Sequence, residues 1–264
     1  MFFDAHVHSQ ASIDSEMNPR EAIAALARKG LGIAFTEHLD FVTPTEGRDW
    51  SATDAPDALA DYACDLEMYP STYQCLRSDS VLLGLEIALT AAFLPLNTRM
   101  ADEGDYDFIL GSIHNVKGKN IYFDHKDGMD PISRYFTYAA SMVELCGFFD
   151  AFAHLDYVAR YSAEVAAKFK YENYPKEFDA FLSAMSEKGL ALEINTQRFG
   201  DIDAEKDLLV IYRRFAALGG KYCTIGSDAH ELKRLGRHMD RARKFAGEAG
   251  LLPVYYKNRK RYPM

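Results

Sequence analysis

The chain has no apolar run approaching the roughly 20 residues that a membrane-spanning helix needs. It also lacks the basic region followed by a hydrophobic one that marks a secretory leader. A cytoplasmic protein is therefore the expectation, with no membrane partner. Cysteine is scarce: Cys64, Cys75, Cys146 and Cys223 are scattered and form no C-x-x-C pair. They read as reduced packing residues, which argues against a disulfide framework and against a thiolate metal site. Basic charge is short as well, 30 Lys and Arg against 39 Asp and Glu, for a net charge of -9. That is the wrong sign for a general nucleic-acid binder. A small anionic substrate stays compatible, because metals or a few arginines invert the field locally. No internal repeat, low-complexity tract or linker divides the chain, so residues 1–264 are expected to form one domain.

What is present is the composition of a folded globule, 48% apolar and 26% charged. Short apolar runs predict strands over 2–7, 32–37, 81–86, 107–113, 150–154, 191–195 and 222–227, separated by segments rich in Ala, Leu, Glu, Lys and Arg. The first intervening helix is well marked. Asn18 can cap it, Pro19 suits its first position, Glu21 follows three residues after the cap, and Gly30 fits a left-handed stop. Similar punctuation predicts helices over 131–146, 175–188, 204–218 and near 232–248. Strand then helix, repeated about seven times, implies α/β architecture: a parallel sheet with outer helices, either a closed barrel or a doubly wound open sheet. Two long connections, 40–55 and 115–130, each follow a histidine and are expected to lie over an active site. The tail YYKNRKRYPM is read as a solvated end, its basic residues far from a nucleic-acid signal at this overall charge.

The carboxyl ends of the predicted strands carry the chemistry. The first gives His6 and His8, which face the same way in an extended chain. The others give His38 in TEH, Glu86 in GLE, His114 in GSIHN, His154 in AHLD, and Asp228 with His230 in GSDAH. Six of the eight histidines thus fall where parallel α/β folds build their active sites. Any one of them alone reads as a hydrogen-bonded structural residue. Gathered together, such groups lose water at a cost of several kcal/mol per unpaired ion, roughly, which cations offset directly. Nitrogen and carboxylate donors without thiolate suit zinc, iron or manganese.

These motifs, in this order and spread over residues 4 to 230, resemble the PHP (polymerase and histidinol phosphatase) family, in particular its histidinol-phosphate phosphatases. The resemblance implies a distorted (β/α)7 barrel, TIM-like, with three divalent transition-metal ions. By this resemblance His6, His8, Glu86 and Asp228 hold the first ion. Glu86 bridges to the second, with His114 and His154, while Asp14, His38 and His230 hold the third. Asp14 stands where some of those relatives have histidine. The implied reaction hydrolyses L-histidinol phosphate in histidine biosynthesis, with a hydroxide shared by two ions attacking phosphorus and Asp228 moving a proton.

Arg160 and Arg198, after the fifth and sixth strands, are the candidate phosphate-binding residues, and His125, on the long loop after His114, is a further substrate-binding candidate. Glu46, Asp49 and Asp156 are candidates for the amine end of the substrate. His238 matches no motif and is expected to face solvent from a charged helix. The competing readings are a phosphoesterase acting on nucleotides or another small ester, and a regulatory barrel without catalysis. A metal-dependent amidohydrolase also begins with H-x-H, but often bridges its metals with a lysine on the fourth strand, and DFILGSI contains none.

Overall fold

The structure, a computed structural model, describes residues 1–41, 68–116, 119–120, 130–160 and 162–264. Seven parallel strands run through the chain: β1 (Phe2–Val7), β2 (Leu31–Leu39), β3 (Val81–Ala88), β4 (Phe108–Ser112), β7 (Ala151–Phe152), β8 (Ala191–Asn195) and β9 (Tyr222–Gly226). A small ladder of β5 (Asn115–Val116) with β6 (Lys119–Asn120) stands apart from this sheet. Helices connect the main strands: α1 (Pro19–Ala27), α2 (Met68–Tyr73), α3 (Leu94–Glu103), α4 (Pro131–Leu145), α5 (Ala163–Lys168), α6 (Pro175–Glu187), α7 (Ile202–Ala217) and α8 (Met239–Ala249).

The starts and stops of the first helix follow the local chemistry. Asn18 Oδ1 accepts from the N–H groups of Arg20 at 2.9 Å and Glu21 at 3.4 Å. Gly30, at φ +70°, takes the left-handed turn that releases the chain into β2. Asp130 caps α4 in the same way, accepting from Ile132 and Ser133. One predicted helix moves. The segment expected near 232–248 begins its α-helix only at Met239, because Gly236 (φ +63°) and His238 (φ +59°) interrupt it first. His238 thus ends a left-handed turn and accepts from Arg237 Nε at 2.9 Å, instead of lying within a helix.

The sheet order is β1-β2-β3-β4-β7-β8-β9 and then β10 (Leu252–Lys257) and β11 (Lys260–Pro263). At its upper end β9 curls back onto β1. Val7 bridges Ala229 in parallel, His8 N–H donates to Ala229 O at 3.0 Å, and Asp228 N–H donates to His6 O at 2.8 Å. At its lower end β9 instead pairs with β10, Tyr222 opposite Leu252. The result is the expected distorted seven-stranded barrel, drawn together at its mouth and splayed at its base.

The base is closed by the first half of the tail, while β11 is exposed along its length, so the reading of a solvated end holds for the last strand and is corrected for Tyr255, Tyr256 and Arg259. β10 and β11 form an antiparallel hairpin whose two turn residues, Asn258 (φ +49°) and Arg259 (φ +59°), adopt the left-handed conformation that tight hairpins require. Tyr256 stacks on Phe108 at 5.3 Å and Tyr255 on Phe3 at 4.6 Å. Arg259 Nε donates to Asp150 Oδ2 at 2.7 Å, and its Nη2 donates to the Phe148 carbonyl. Alternating hydrophobicity was diluted here by four basic residues, so the pattern signalled solvent while the aromatic residues were packing.

Each of the seven barrel strands has two buried faces. The outer carries Ile33, Phe35, Leu83, Leu85, Ile109 and Ile194 against the helices. The inner carries, low in the barrel, Ala5, Ala34, Ala151 and Ala191 beside the larger Leu82 and Phe108. Along that same inner face, counting by twos, Ala34 leads to His38, Leu82 to Glu86, Leu110 to His114 and Ala191 to Glu193. On β1 the register breaks: Asp4 pairs with Ile33 and Val7 with Phe35, so Ala5 and His6 together oppose Ala34. This bulge turns both Ala5 and His6 to the inner side and thereby re-aims the H-x-H pair at the mouth.

Candidate metal centre

The described parts of the barrel mouth enclose a cleft of about 880 Å³ whose lining includes Asp14, His38, Glu86, His114, His154, Asp228 and His230. His6 and His8 lie beneath it, fully buried. All nine sequence-predicted metal-binding residues therefore come together in one place.

Glu86 is the hub. Its Oε2 lies 3.2 Å from His6 Nε2, 3.3 Å from His8 Nε2 and 3.1 Å from His38 Nδ1. Its Oε1 lies 2.6 Å from His154 Nε2 and 3.3 Å from His114 Nε2. Asp228 Oδ1 stands 3.7 Å from both His6 Nε2 and His8 Nε2. At the outer edge Asp14 Oδ2 is 3.4 Å from His38 Nε2 and 3.1 Å from His230 Nε2. Four overlapping groups have ligand atoms within 4.8 Å of one another: His6, His8 and Glu86; His6, His154 and Asp228; His38, Glu86 and His114; and His8, His38 and His230. Sharing of His38 between the hub and the Asp14 edge means that the donors form a continuous cluster and do not separate into three isolated sets.

The electrostatics are those of a site built for positive charge. Burial alone would raise the Glu86 carboxyl, but the surrounding His6, His114, His154 and His38 hold it well below the usual range. Asp228 is likewise held low against its burial, by His6 and Arg160. Burial opposes charge on His6, yet Glu193, Glu86 and Asp228 raise its pKa well above the ordinary value. His8 goes the other way, lowered by burial and by the neighbouring His38. His6 Nε2 and His8 Nε2 face each other at 3.0 Å. Two imidazole lone pairs at that separation need a proton or a cation between them, and the surrounding carboxylates reward either. The donor set fits a divalent ion of the zinc, iron or manganese type: imidazole nitrogen and carboxylate oxygen, with Cys75, Cys146 and Cys223 elsewhere.

Behind these groups stands a layer that sequence reading missed. Glu193, 1% exposed, accepts from His6 Nδ1 at 2.7 Å. Asp40 Oδ2 lies 2.5 Å from His114 Nδ1. Ser12 Oγ lies 3.2 Å from His8 Nδ1 and gives its own proton to Glu37 Oε2 at 2.5 Å. Glu37 is buried, which pushes its carboxyl up to about 7 despite hydrogen bonds from Ser12 and Ser9. Carboxylate or hydroxyl partners on the far nitrogen of a histidine fix its tautomer, the usual support for metal-binding imidazoles. The available signal was a carboxylate at the centre of an apolar strand, Glu193 in ALEIN, and one directly after a motif histidine, Asp40 in TEHLD.

Arg160 borders the same cleft, with Nη1 donating to Asp228 Oδ2 at 2.8 Å and Nη2 3.7 Å from Asp156 Oδ1. Arg198 lies 4.0 Å from Asp156 Oδ2. Asp156, 3% exposed, thus stands between two guanidinium groups at ion-pair and not hydrogen-bond distance. His125, Glu46 and Asp49 lie outside the described residues, as do most of the two long connections.

A model of the PHP domain matches residues 4–197. The chain belongs to the PHP family. Similarity to individual members extends over nearly the whole length. The chain is 32% identical over 263 residues to a probable histidinol-phosphatase of Clostridium acetobutylicum, with 98% of each covered. It is 30% identical over 256 residues to the histidinol-phosphatase of Lactococcus lactis, covering 94% of this chain and 91% of that one. Among solved structures it resembles the histidinol phosphate phosphatase of Lactococcus lactis, complexed with zinc, L-histidinol and phosphate, at 28% identity and a TM-score of 0.86, covering 99% and 98%. A histidinol phosphatase described for Listeria monocytogenes shares the PHP fold at 14% identity, TM-score 0.67, covering 90% and 98%.

Proposed function

We propose that this chain is a metal-dependent phosphomonoesterase, one domain over residues 1–264, that hydrolyses L-histidinol phosphate to L-histidinol and phosphate. The observation that carries the reading is the gathering of six histidines with Asp14, Glu86 and Asp228 at one barrel mouth, five of the histidines on Glu86 itself, with Arg160 and Arg198 on the same cleft. The substrate follows from the full-length similarity to histidinol-phosphatases and from the related structure that holds L-histidinol and phosphate. A role in histidine biosynthesis in the cytoplasm belongs to the same reading. Among the described residues no helix is long and apolar enough to cross a membrane.

In this reading His6, His8, Glu86 and Asp228 hold one ion, Glu86, His114 and His154 a second, and Asp14, His38 and His230 a third. Bound there, divalent ions acidify water towards neutral pH and offset phosphate charge. The chain's own side chains do the rest. Arg160 has two further donors, Nε and Nη2, without hydrogen-bond partners among the described residues, and a phosphate oxygen pair matches that fork. Arg198 approaches from the neighbouring strand end. Asp228, kept ionised by His6 and Arg160 at neutral pH, is the group placed to accept the nucleophile's proton and return one to the leaving alkoxide.

The test is phosphate release from L-histidinol phosphate by protein of measured metal content, beside nucleoside monophosphates at equal concentration. Release that rises with metal content and favours histidinol phosphate is the expected result. Preference for nucleotides would transfer the activity to that substrate class, and metal-loaded protein inert on every ester would make the barrel a regulatory one.

A further inference from the structure

We propose that Glu193 is the positioning residue of the cation cluster: one carboxylate oxygen orients the His6 ring while the other holds the His154 backbone. The inference rests on reading the cluster as a cation site. Glu193 sits in the middle of β8 and is 1% exposed, so an ionised carboxylate there is costly unless both oxygens find donors. Both do, and both donors belong to the cluster.

Oε1 lies 2.7 Å from His6 Nδ1. An ionised carboxylate can only accept, so Nδ1 carries the hydrogen, and Nε2 is left to face Glu86 and His8. That is the tautomer a cation at the hub requires. Oε2 accepts from the backbone N–H of His154 at 2.7 Å. His154 has φ +22°, a conformation that costs a non-glycine residue on the order of 1–3 kcal/mol and persists only where surroundings impose it. The kink ends β7 after Phe152, where the strand was expected to run to 154, and it is what brings His154 Nε2 to 2.6 Å from Glu86 Oε1. One side chain thus sets a ring on β1 and a backbone turn after β7.

The neighbouring strand is shaped around this pair. A Cβ on Gly226 would fall 2.3 Å from His6 Cβ and 2.4 Å from Glu193 Oε1, so β9 must be bare at the point where the two meet. Asn195 Nδ2 extends the link, donating to Glu193 Oε2 at 3.1 Å and lying 3.3 Å from Asp228 Oδ2. Glu193 has no contact of this kind with Asp14, His38 or His230, which form the outer edge of the cluster. Its direct contacts are therefore confined to the His6 and His154 side, and this separates positioning from general support of the fold.

The experiment is competition for Zn2+ between a chelating dye and the full-length protein, as wild type, Glu193→Ala and Glu193→Gln, with the melting temperature of each metal-free protein recorded alongside. Loss of the carboxylate should weaken zinc binding at the His6 and His154 side about 10–100-fold, the range for outer partners of metal-binding histidines. The zinc equivalent held by Asp14, His38 and His230, reached only through the shared His38 and Glu86, should lose clearly less. Glu193→Gln retains one acceptor and should fall between wild type and Ala; it serves in place of Ala should that variant fail to fold. Wild-type zinc affinity in either folded variant overturns the inference, and so does an equal loss across every zinc equivalent, the signature of general destabilisation. Wild-type protein that binds no zinc would instead remove the cation site on which the inference rests.

Discussion

Replacing Arg160 by alanine tests the assignment of its side of the cleft to phosphate. Arg160 is anchored through Nη1, which donates to Asp228 Oδ2 at 2.8 Å. Its Nε and Nη2 are buried and have no hydrogen-bond partner among the described residues, although Asp156 stands close enough to share charge. Two buried donors without acceptors are a standing cost that a bound dianion relieves. Hydrogen bonds to charged groups contribute about 1.5–3 kcal/mol each, so two of them amount to roughly 3–6 kcal/mol. At 1.36 kcal/mol per factor of ten, Arg160→Ala should lower kcat/KM for phosphate release by about 10²- to 10⁴-fold. Arg160→Lys restores charge without the planar fork and should recover only part of the loss. The assay is steady-state phosphate release at fixed free zinc, with zinc content measured for each variant because Asp228 also belongs to the histidine and carboxylate cluster. A kcat/KM within tenfold of wild type at unchanged zinc content would refute the assignment of the free donors to phosphate.

Chelation should abolish phosphate release and added zinc or manganese should restore it; turnover that survives complete chelation, checked by elemental analysis, would separate the reaction from the cluster. Asp228→Asn should cut kcat heavily even in preparations that keep their metal, and unchanged turnover would end its role as the proton-transfer group. Arg259→Ala removes the partner of Asp150 beneath the barrel, costing about 3 kcal/mol, the low end for breaking a buried pair since the guanidinium keeps an exposed edge. That should lower Tm by about 6–12 °C in thermal melts at neutral pH. Burial already raises the Asp150 carboxyl against the pull of Arg259, and without the arginine it rises further. A raised carboxyl binds its proton more tightly in the folded state, so the penalty stands above the folded pKa and shrinks as pH falls through it. A gap between variant and wild type that widens on acidification would contradict this.

Much of the fold was legible because its signals are local. The Asn18-Pro19 start and the Gly30 stop of α1 depend on a few adjacent residues, and the structure realises both. The strand ends of the site were legible because imidazole and carboxylate are conspicuous after apolar runs, and because six such motifs kept one order. Groups whose meaning depends on distant partners were not. Glu193 lies 187 residues from His6, and nothing in ALEIN names the ring that its carboxylate meets. Asp156 reads as a free acid in HLDYVARY, but the turn after β7 sets it between Arg160 and Arg198. The tail was legible in its exposed last strand but not in its first half, where Tyr255 and Tyr256 pack on Phe3 and Phe108, and only the closed sheet brings those residues under it.

The places where regular geometry gives way coincide with the chemistry. An undistorted β1 would place Ala5 on the inner face and turn His6 outwards, since neighbours in a strand alternate. The bulge opposite Ala34 reverses that. An undistorted β7 would continue extended through residue 154, and an undistorted β9 would run past Gly226; instead His154 and Asp228 adopt φ of +22° and +53°. Such departures each cost on the order of 1–3 kcal/mol and survive only where surrounding contacts determine them. Here the contacts are identifiable: Glu193 holds the first turn, and the His6 carbonyl, accepting from Asp228 N–H, holds the second. The same backbone bond helps draw β9 against β1 at the mouth. Closing the barrel and aiming Asp228 are therefore one event, so a substitution that opens this seam should disperse the cluster before it unfolds the helices packed outside.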